Sequence, residues 1–211
     1  MNQPIYSRRP TNNSAIPDTI FIILIANGLL FSLQQFAPRL TFEFLALQPI
    51  VSPSGYITPS FIPWQLITYG FLHSTNSLMH IIFNMLMLWM FGRDIEMLMG
   101  PRRFLIYYIT CIVGAGIIQL LVGVLQGGGV PTVGASGGVF GILLAYGMAF
   151  PERRIMLIFP PIPMKAKYFV ALLGLLEFYL GFSGVNNGVA NFAHLGGMLF
   201  GYWLMRFWKK D

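Results

Sequence analysis

Five polar side chains lie within otherwise apolar stretches of this sequence, and their types are those that acyl transfer requires. They are His80, Asn84, Ser136, Glu177 and His194. Such side chains are costly in an apolar setting, so they mark either function or a specific internal hydrogen bond. A serine hydroxyl becomes a useful nucleophile when a neutral imidazole beside it takes its proton. Ser136 and His194 could therefore act as nucleophile and general base.

Acyl transfer also needs hydrogen-bond donors aimed at the oxygen that becomes negative in the tetrahedral intermediate. His80 and Asn84 are four residues apart, which places them on one face of a helix. The backbone N–H of Ser136 would add a donor if a helix begins there. Taken singly, His80 and Asn84 are equally compatible with packing or an interhelical hydrogen bond. Alongside Ser136 and His194 they predict an oxyanion-stabilising pair.

An orienting acid for the imidazole is harder to find. No Asp or Glu lies at the matching end of an apolar stretch, so we expect a Ser-His dyad rather than a triad. Glu177 is the alternative, because it is the acid that falls within such a stretch. Its helix face cannot be read from the sequence, which leaves its role open.

The composition indicates what must position these residues. The chain is 55% hydrophobic and only 9% charged, whereas soluble domains carry about 25% charged residues. Crossing a hydrocarbon layer of roughly 30 Å takes about 20 apolar residues. We therefore predict an all-α polytopic membrane protein with six transmembrane helices. The predicted spans lie near residues 18–37, 77–92, 104–126, 135–150, 167–182 and 190–208.

The predicted spans give the domain limits, and the positions of the Lys and Arg residues predict how the protein is oriented in the membrane. A membrane domain over 18–208 would follow a cytoplasmic segment, 1–17, and precede a short tail, 209–211. No small-residue cleavage site follows the first stretch, so it is expected to be a retained span. If the N-terminus is cytoplasmic, every Lys and Arg except Arg39 falls inside, which places both termini in the cytoplasm. The membrane thus explains the net charge of +6 better than a nucleic-acid partner does.

The Gly- and Pro-rich segment 127–134 determines where Ser136 lies. Glycine and proline are poor helix formers, so the fourth helix can start only near Ser136. From there to Phe150 it reaches about 22 Å, roughly 8 Å short of a full crossing. Ser136 is then expected below the outer surface, in a cavity that water reaches. Counting back from the inner charges puts His80 and His194 in the same layer.

Small residues could let the helices of Ser136 and His194 approach closely. Gly137 and Gly141 form one small-xxx-small pair, and Gly197 and Gly201 form another. Such pairs are common in membrane helices, so packing without a catalytic purpose is an equal alternative. The lone Cys111 provides no disulfide and is read as a packing residue.

Three motifs, in order along the chain, resemble those of the rhomboid family of intramembrane serine proteases. They are His80-x-x-x-Asn84, Gly134-Ala135-Ser136-Gly137, and Ala193-His194 followed by Gly197 and Gly201. Each motif alone is weak, but the combination is specific, and the resemblance covers nearly the whole chain.

The resemblance implies a six-span core that cleaves transmembrane proteins near their outer ends without metal or cofactor. It implies Ser136 as nucleophile, His194 as base, and His80 and Asn84 as oxyanion-side donors. It also makes Glu96 and Gly100 structural positions, with Glu96 a hydrogen-bonding brace. The small size and absence of a transit peptide favour a bacterial cytoplasmic membrane.

The sequence departs from the family pattern at two places. Phe140 stands where some members have Tyr beneath the histidine, which keeps ring stacking possible but removes a hydroxyl. Trp64-Gln65 stands where many members have Trp-Arg.

Other functions remain as alternatives. A catalytically silent rhomboid-like scaffold would bind membrane proteins without cutting them, and a transporter could use His80, Glu177 and His194 as a proton path. A zinc protease is disfavoured because no H-E-x-x-H pair occurs. The sequence predicts the lipid bilayer and transmembrane substrates as partners and leaves the oligomeric state open.

Overall fold

A computed structural model describes residues 18–52, 61–156, 162–183 and 189–209. The predicted N-terminal segment 1–17 and the last two residues of the predicted tail lie outside the described residues.

Helices dominate the described part of the chain. The helices are α1 Asp18–Phe36, α2 Pro38–Leu45, α3 Gln65–Thr68, α4 Leu78–Met99, α5 Pro101–Leu125, α6 Ser136–Ala149, α7 Ala166–Ser183 and α8 Val189–Trp208. A 3-10 turn, Tyr69–Phe71, follows α3, and the strands β1 Arg154–Met156 and β2 Pro163–Lys165 pair antiparallel between α6 and α7. The prediction of an all-helical membrane protein is confirmed at this level, while the hairpin was not foreseen.

Four of the described helices are long and apolar enough to cross a membrane: α1, α4, α5 and α7. The helix α6 is apolar but has only 14 residues, about 21 Å at 1.5 Å per residue. The helix α8 has 20 residues, but Asn191, His194 and its glycines lower its hydropathy, and it is not among the four. The short α6 begins at Ser136, as the Gly-rich segment before it predicts.

The helices α5, α6 and α8 form the centre of the bundle, with α4 and α7 packed beside α6. Phe104, Tyr107, Tyr108 and Ile112 of α5 are fully buried. The Tyr107 hydroxyl donates a 2.7 Å hydrogen bond to the carbonyl of Gly141 on α6. Cys111 is a free, buried thiol within this contact, as its reading as a packing residue predicts.

The non-helical segment before α6 is held by neighbouring backbone. Leu47 and Thr132 exchange two hydrogen bonds, of 3.0 and 2.9 Å. The N–H of Gly129 donates to the carbonyl of Val51, and that of Gly134 donates to the carbonyl of Tyr69. Irregular backbone at membrane depth is tolerated where other parts of the protein form hydrogen bonds to its N–H and C=O groups. The bonds of Leu47, Val51 and Tyr69 do so for this segment.

Gln65, which directly follows Trp64, ties together the connection between α1 and α4. It is fully buried. Its side-chain oxygen accepts from the N–H groups of Gln48 and Ile62, and its amide nitrogen donates to the carbonyl of Glu43. The connection contains the short helices α2 and α3.

Glu96 is a brace, as expected, because its two carboxylate oxygens accept from the backbone N–H groups of Thr19 and Ile20, each at 3.0 Å. An anionic acceptor at a helix start also complements the helix dipole. The helix α4 runs seven residues beyond the predicted end at 92 and stops at Gly100, whose φ of +79° suits glycine.

Charged contacts gather at one end of the bundle. Arg153 pairs with Asp94, and the Arg103 guanidinium lies 5.7 Å from the Trp208 ring centroid. Glu152 pairs with Lys165 and Lys167, and these ammonium groups lower the pKa of Glu152 to about 2. The α4–α5 connection, the hairpin and the end of α8 therefore share one side.

Candidate active site

The centre of the site is a contact between the first residue of α6 and the second turn of α8. Nε2 of His194 lies 2.8 Å from Oγ of Ser136, a hydrogen-bonding distance. Both residues are half-buried, so the pair is reachable from one side. The structure thus brings together the two residues predicted as nucleophile and base.

Glycines allow the two helices to come this close. A Cβ placed on Gly197 would lie 2.0 Å from the carbonyl oxygen of Gly137, so the α6 and α8 backbones touch one turn from the Ser-His pair. A Cβ on Gly141 would lie 2.3 Å from Sγ of Cys111, and one on Gly201 would lie 2.4 Å from the Tyr107 hydroxyl. Both predicted small-residue pairs therefore lie in the α5, α6 and α8 contact.

One face of the His194 imidazole packs against an aromatic ring. Phe140 stacks on His194 with ring centroids 4.3 Å apart and planes only 4° from parallel. Phe140 lies one turn after Ser136 on α6, so the helix that carries the serine also supports the histidine. The stacking that the sequence left possible is present without the tyrosine hydroxyl.

A carboxylate lies on the other edge of the imidazole. Oε2 of Glu177, on α7, is 3.0 Å from Nδ1 of His194. Despite this short distance, Nδ1 has no aligned hydrogen-bond partner among the described residues, so the Glu177 oxygen lies off the line of an N–H on Nδ1. The amide of Asn191 donates a 2.6 Å hydrogen bond to the same carboxylate oxygen. The structure therefore places Glu177, the acid whose role the sequence left open, beside His194.

Asn191 is the residue that sequence reasoning missed. It precedes His194 by three residues on α8, so the two side chains share a helix face. A polar residue at that spacing within an apolar stretch was the signal that could have found it.

His80 faces the turn that leads into Ser136. Its Nδ1 accepts a 3.1 Å hydrogen bond from the backbone N–H of Ser74, so the ring proton is on Nε2 in the neutral form. A Cβ on Gly134 would lie 3.1 Å from that Nε2 and 3.5 Å from Oγ of Ser136. Gly134 also has a φ of +139°, which only glycine adopts readily. The His80 donor and the serine thus border one small space that a side chain would fill.

Asn84 is not brought to the serine in the same way. Its amide donates a 2.7 Å hydrogen bond to the carbonyl of His80, one turn earlier on α4. Among the described residues it makes no hydrogen bond to Ser136 or His194. The second amide N–H of Asn84 is not used in that bond.

The four long apolar helices are those of a helical membrane protein. A family model for the rhomboid domain matches residues 61–210, so the chain belongs to that family. The chain is 30% identical over 204 residues to the mitochondrial presenilin-associated rhomboid-like protein of Mus musculus, covering 91% of this chain and 50% of that protein. It is 27% identical to the mitochondrial rhomboid protein 1 of Saccharomyces cerevisiae, over 86% of this chain and 51% of that protein.

A bacterial relative is similar to a shorter stretch. The rhomboid protease GlpG of Yersinia pestis is 32% identical over 145 residues, which is 69% of this chain and 48% of that protein. The chain spans about half the length of these curated relatives.

Proposed function

We propose that this protein is an intramembrane serine endopeptidase that cleaves transmembrane segments of other membrane proteins near their outer ends. The observation that carries the proposal is the 2.8 Å contact between Nε2 of His194 and Oγ of Ser136. Membership of a family that includes a protein named as a protease supports it.

The geometry suits a two-step acyl transfer. Nε2 of His194 takes the Ser136 proton as Oγ attacks the scissile carbonyl, and the imidazolium then gives that proton to the leaving amine. Water hydrolyses the acyl-enzyme in the second step, with His194 again acting as base. The reaction needs no metal or cofactor.

Oxyanion stabilisation is assigned to the space beside Gly134. His80 offers its Nε2–H there, because Nδ1 is occupied by the Ser74 N–H. The backbone N–H of Ser136 at the start of α6 adds a second donor. The unused N–H of Asn84 is the third candidate.

The membrane arrangement completes the proposal. We assign six spans to α1, α4, α5, α6, α7 and α8 within a membrane domain over residues 18–208. The end that carries the Asp94, Glu152 and Arg103 contacts is assigned to the inner side, following the positive-inside rule. Both termini, including the segment 1–17, then lie on that side. A bacterial cytoplasmic membrane stays a prediction, since two of the relatives named above are described as mitochondrial.

The test is cleavage of a transmembrane model substrate by detergent-purified protein, with Ser136→Ala and His194→Ala beside the wild type. We expect cleavage by the wild type and none by either variant, with all three proteins equally folded. Cleavage that survives in Ser136→Ala would overturn the assignment. A wild type that binds several substrates and cleaves none would favour the scaffold alternative, and a Glu177 variant that blocks ion movement would favour the transporter.

A further inference from the structure

We propose that Glu177 is a positioning residue for His194, held in place by Asn191, so that the Ser-His pair works with a carboxylate supplied by the neighbouring helix. This inference rests on the proposed protease function and adds a residue to it. It reaches across two helices, because Glu177 is on α7 and its two partners are on α8.

The tautomer of His194 decides whether it can act as a base. To accept the Ser136 proton, Nε2 must be unprotonated, so the single proton of the neutral ring must be on Nδ1. The Nδ1 atom is buried and has no aligned hydrogen-bond partner among the described residues. A buried N–H without a partner is costly, because it has lost its hydrogen bond to water and gained none in return. That cost would favour the opposite tautomer, whose Nε2–H cannot take a proton from serine.

An acceptor for a proton on Nδ1 of His194 is within reach. Oε2 of Glu177 lies 3.0 Å from Nδ1, so a small rotation of either side chain would align the contact. Catalytic hydrogen bonds are often poorly aligned before substrate binds and tighten in the complex. With the bond aligned, the proton stays on Nδ1 and Nε2 faces Ser136 as a base.

The Glu177 carboxylate is itself held in place by a neighbouring side chain. The Asn191 amide donates to the same Oε2 at 2.6 Å, and both Glu177 and Asn191 are buried. Phe140 fixes the ring plane from below. Two directions of the imidazole are thus set, the plane by Phe140 and the in-plane rotation by Glu177.

The Glu177 carboxylate also stabilises the charge that develops on His194. When Ser136 loses its proton the ring becomes an imidazolium, and a carboxylate in contact with it stabilises that charge. The side chains of His194 and Glu177 are only 18% and 12% exposed, so water screens the pair weakly. The carboxylate therefore stabilises the transition state more than the neutral ground state, which is the condition for raising kcat.

The alternative role for Glu177 is purely structural, as a clamp between α7 and α8 through Asn191. The two roles predict different kinetics. Glu177→Gln keeps the size of the side chain and can still accept from Asn191, so a clamp would survive the change. A positioning carboxylate would not survive it.

The test compares wild type, Glu177→Gln and Glu177→Asp in cleavage of a transmembrane model substrate across pH, and includes labelling of Ser136 by a fluorophosphonate. We expect Glu177→Gln to lower kcat by about 10²- to 10³-fold with KM within about threefold, since the contact is less well aligned than in a full triad. The acidic limb of its pH–activity profile should move to lower pH. Glu177→Asp keeps a carboxylate and should keep that limb while losing rate, which retains a test if Glu177→Gln does not fold.

A double-mutant cycle separates action through His194 from action elsewhere. In a His194→Ala background, Glu177→Gln should cause no further loss of the residual rate, because residues that act as a unit are not additive. A Glu177→Gln enzyme within threefold of wild type, with an unmoved acidic limb, would overturn the inference while Ser136→Ala still supported the protease. Full cleavage by Ser136→Ala would overturn both.

Discussion

Replacing Gly197 by Ala should separate the two helices that bring Ser136 and His194 together. The new Cβ would lie 2.0 Å from the carbonyl oxygen of Gly137, whereas ordinary contact begins near 3.4 Å. The obstacle is backbone, so the α6 and α8 axes must move apart by about 1.4 Å to restore ordinary contact. Gly197 is one turn from His194 and Gly137 is next to Ser136, so most of that movement reaches the pair.

The consequence is a lost hydrogen bond. The 2.8 Å distance between Nε2 and Oγ would increase beyond the 3.5 Å limit of a hydrogen bond. A misplacement of about 1 Å at a reacting pair can cost about 10²-fold in rate, and overpacking of this kind costs about 1–3 kcal/mol of stability. We therefore expect at least a hundredfold loss of kcat with a modest fall in Tm.

The assay is steady-state cleavage of a transmembrane substrate in detergent, with Tm measured on the same preparations. The matched control is Gly174→Ala at the α7–α8 contact, where a Cβ would lie 3.5 Å from the Met198 methyl, an ordinary contact. Gly174→Ala should stay within about twofold of wild type. Full activity in Gly197→Ala would refute the argument that this backbone approach sets the site.

Three further perturbations follow from the described contacts. Glu96→Gln removes one anionic acceptor at the start of α1 and should destabilise the protein by about 1.5–3 kcal/mol in reversible unfolding. The control Glu43→Gln changes an exposed side chain and should leave stability unchanged, so equal stabilities of the two variants would contradict the bracing role of Glu96. Phe140→Ala removes a stacked pair worth about 0.5–1.5 kcal/mol and should lower kcat about 3- to 10-fold, whereas Phe140→Tyr should keep kcat near that of wild type. An unchanged kcat in Phe140→Ala would show that the stacking does not fix the His194 ring. The pKa of Glu152 is depressed to about 2, so its ion pairs are fully formed above its ordinary pKa of 4.5 and are lost only as pH falls through 2. The Tm values of wild type and Glu152→Gln should therefore change in parallel between pH 8 and 5. Divergence of the two Tm values in that range would contradict the assignment of these ion pairs.

The sequence was most informative where one residue type has one physical use. Gly and Pro in 127–134 exclude a regular helix, and α6 does begin at Ser136. The Gly197 and Gly137 approach could be anticipated from the spacing of small residues. The bracing role of Glu96 came from resemblance, and its partners, the first N–H groups of α1, could not be named beforehand.

The sequence was least informative where rotation of a helix or a short irregular segment decides the outcome. A one-residue rotation of α7 would turn Glu177 away from His194, and no pattern in that apolar helix fixes its angle. The hairpin of β1 and β2 has strands of only three residues, too short for a periodic signal. The helix α4 continues seven residues past the predicted end at 92, because charged Arg93 and Asp94 lie within it and Asp94 pairs with Arg153.

The most direct test of the central claim is to map a covalent fluorophosphonate adduct by mass spectrometry on purified protein. We expect a single adduct on the peptide that contains Ser136. Its rate of formation should fall sharply in His194→Ala, and no adduct should form in Ser136→Ala. An adduct on another serine, or labelling of Ser136 that His194→Ala leaves unchanged, would contradict the assignment of these two residues as nucleophile and base.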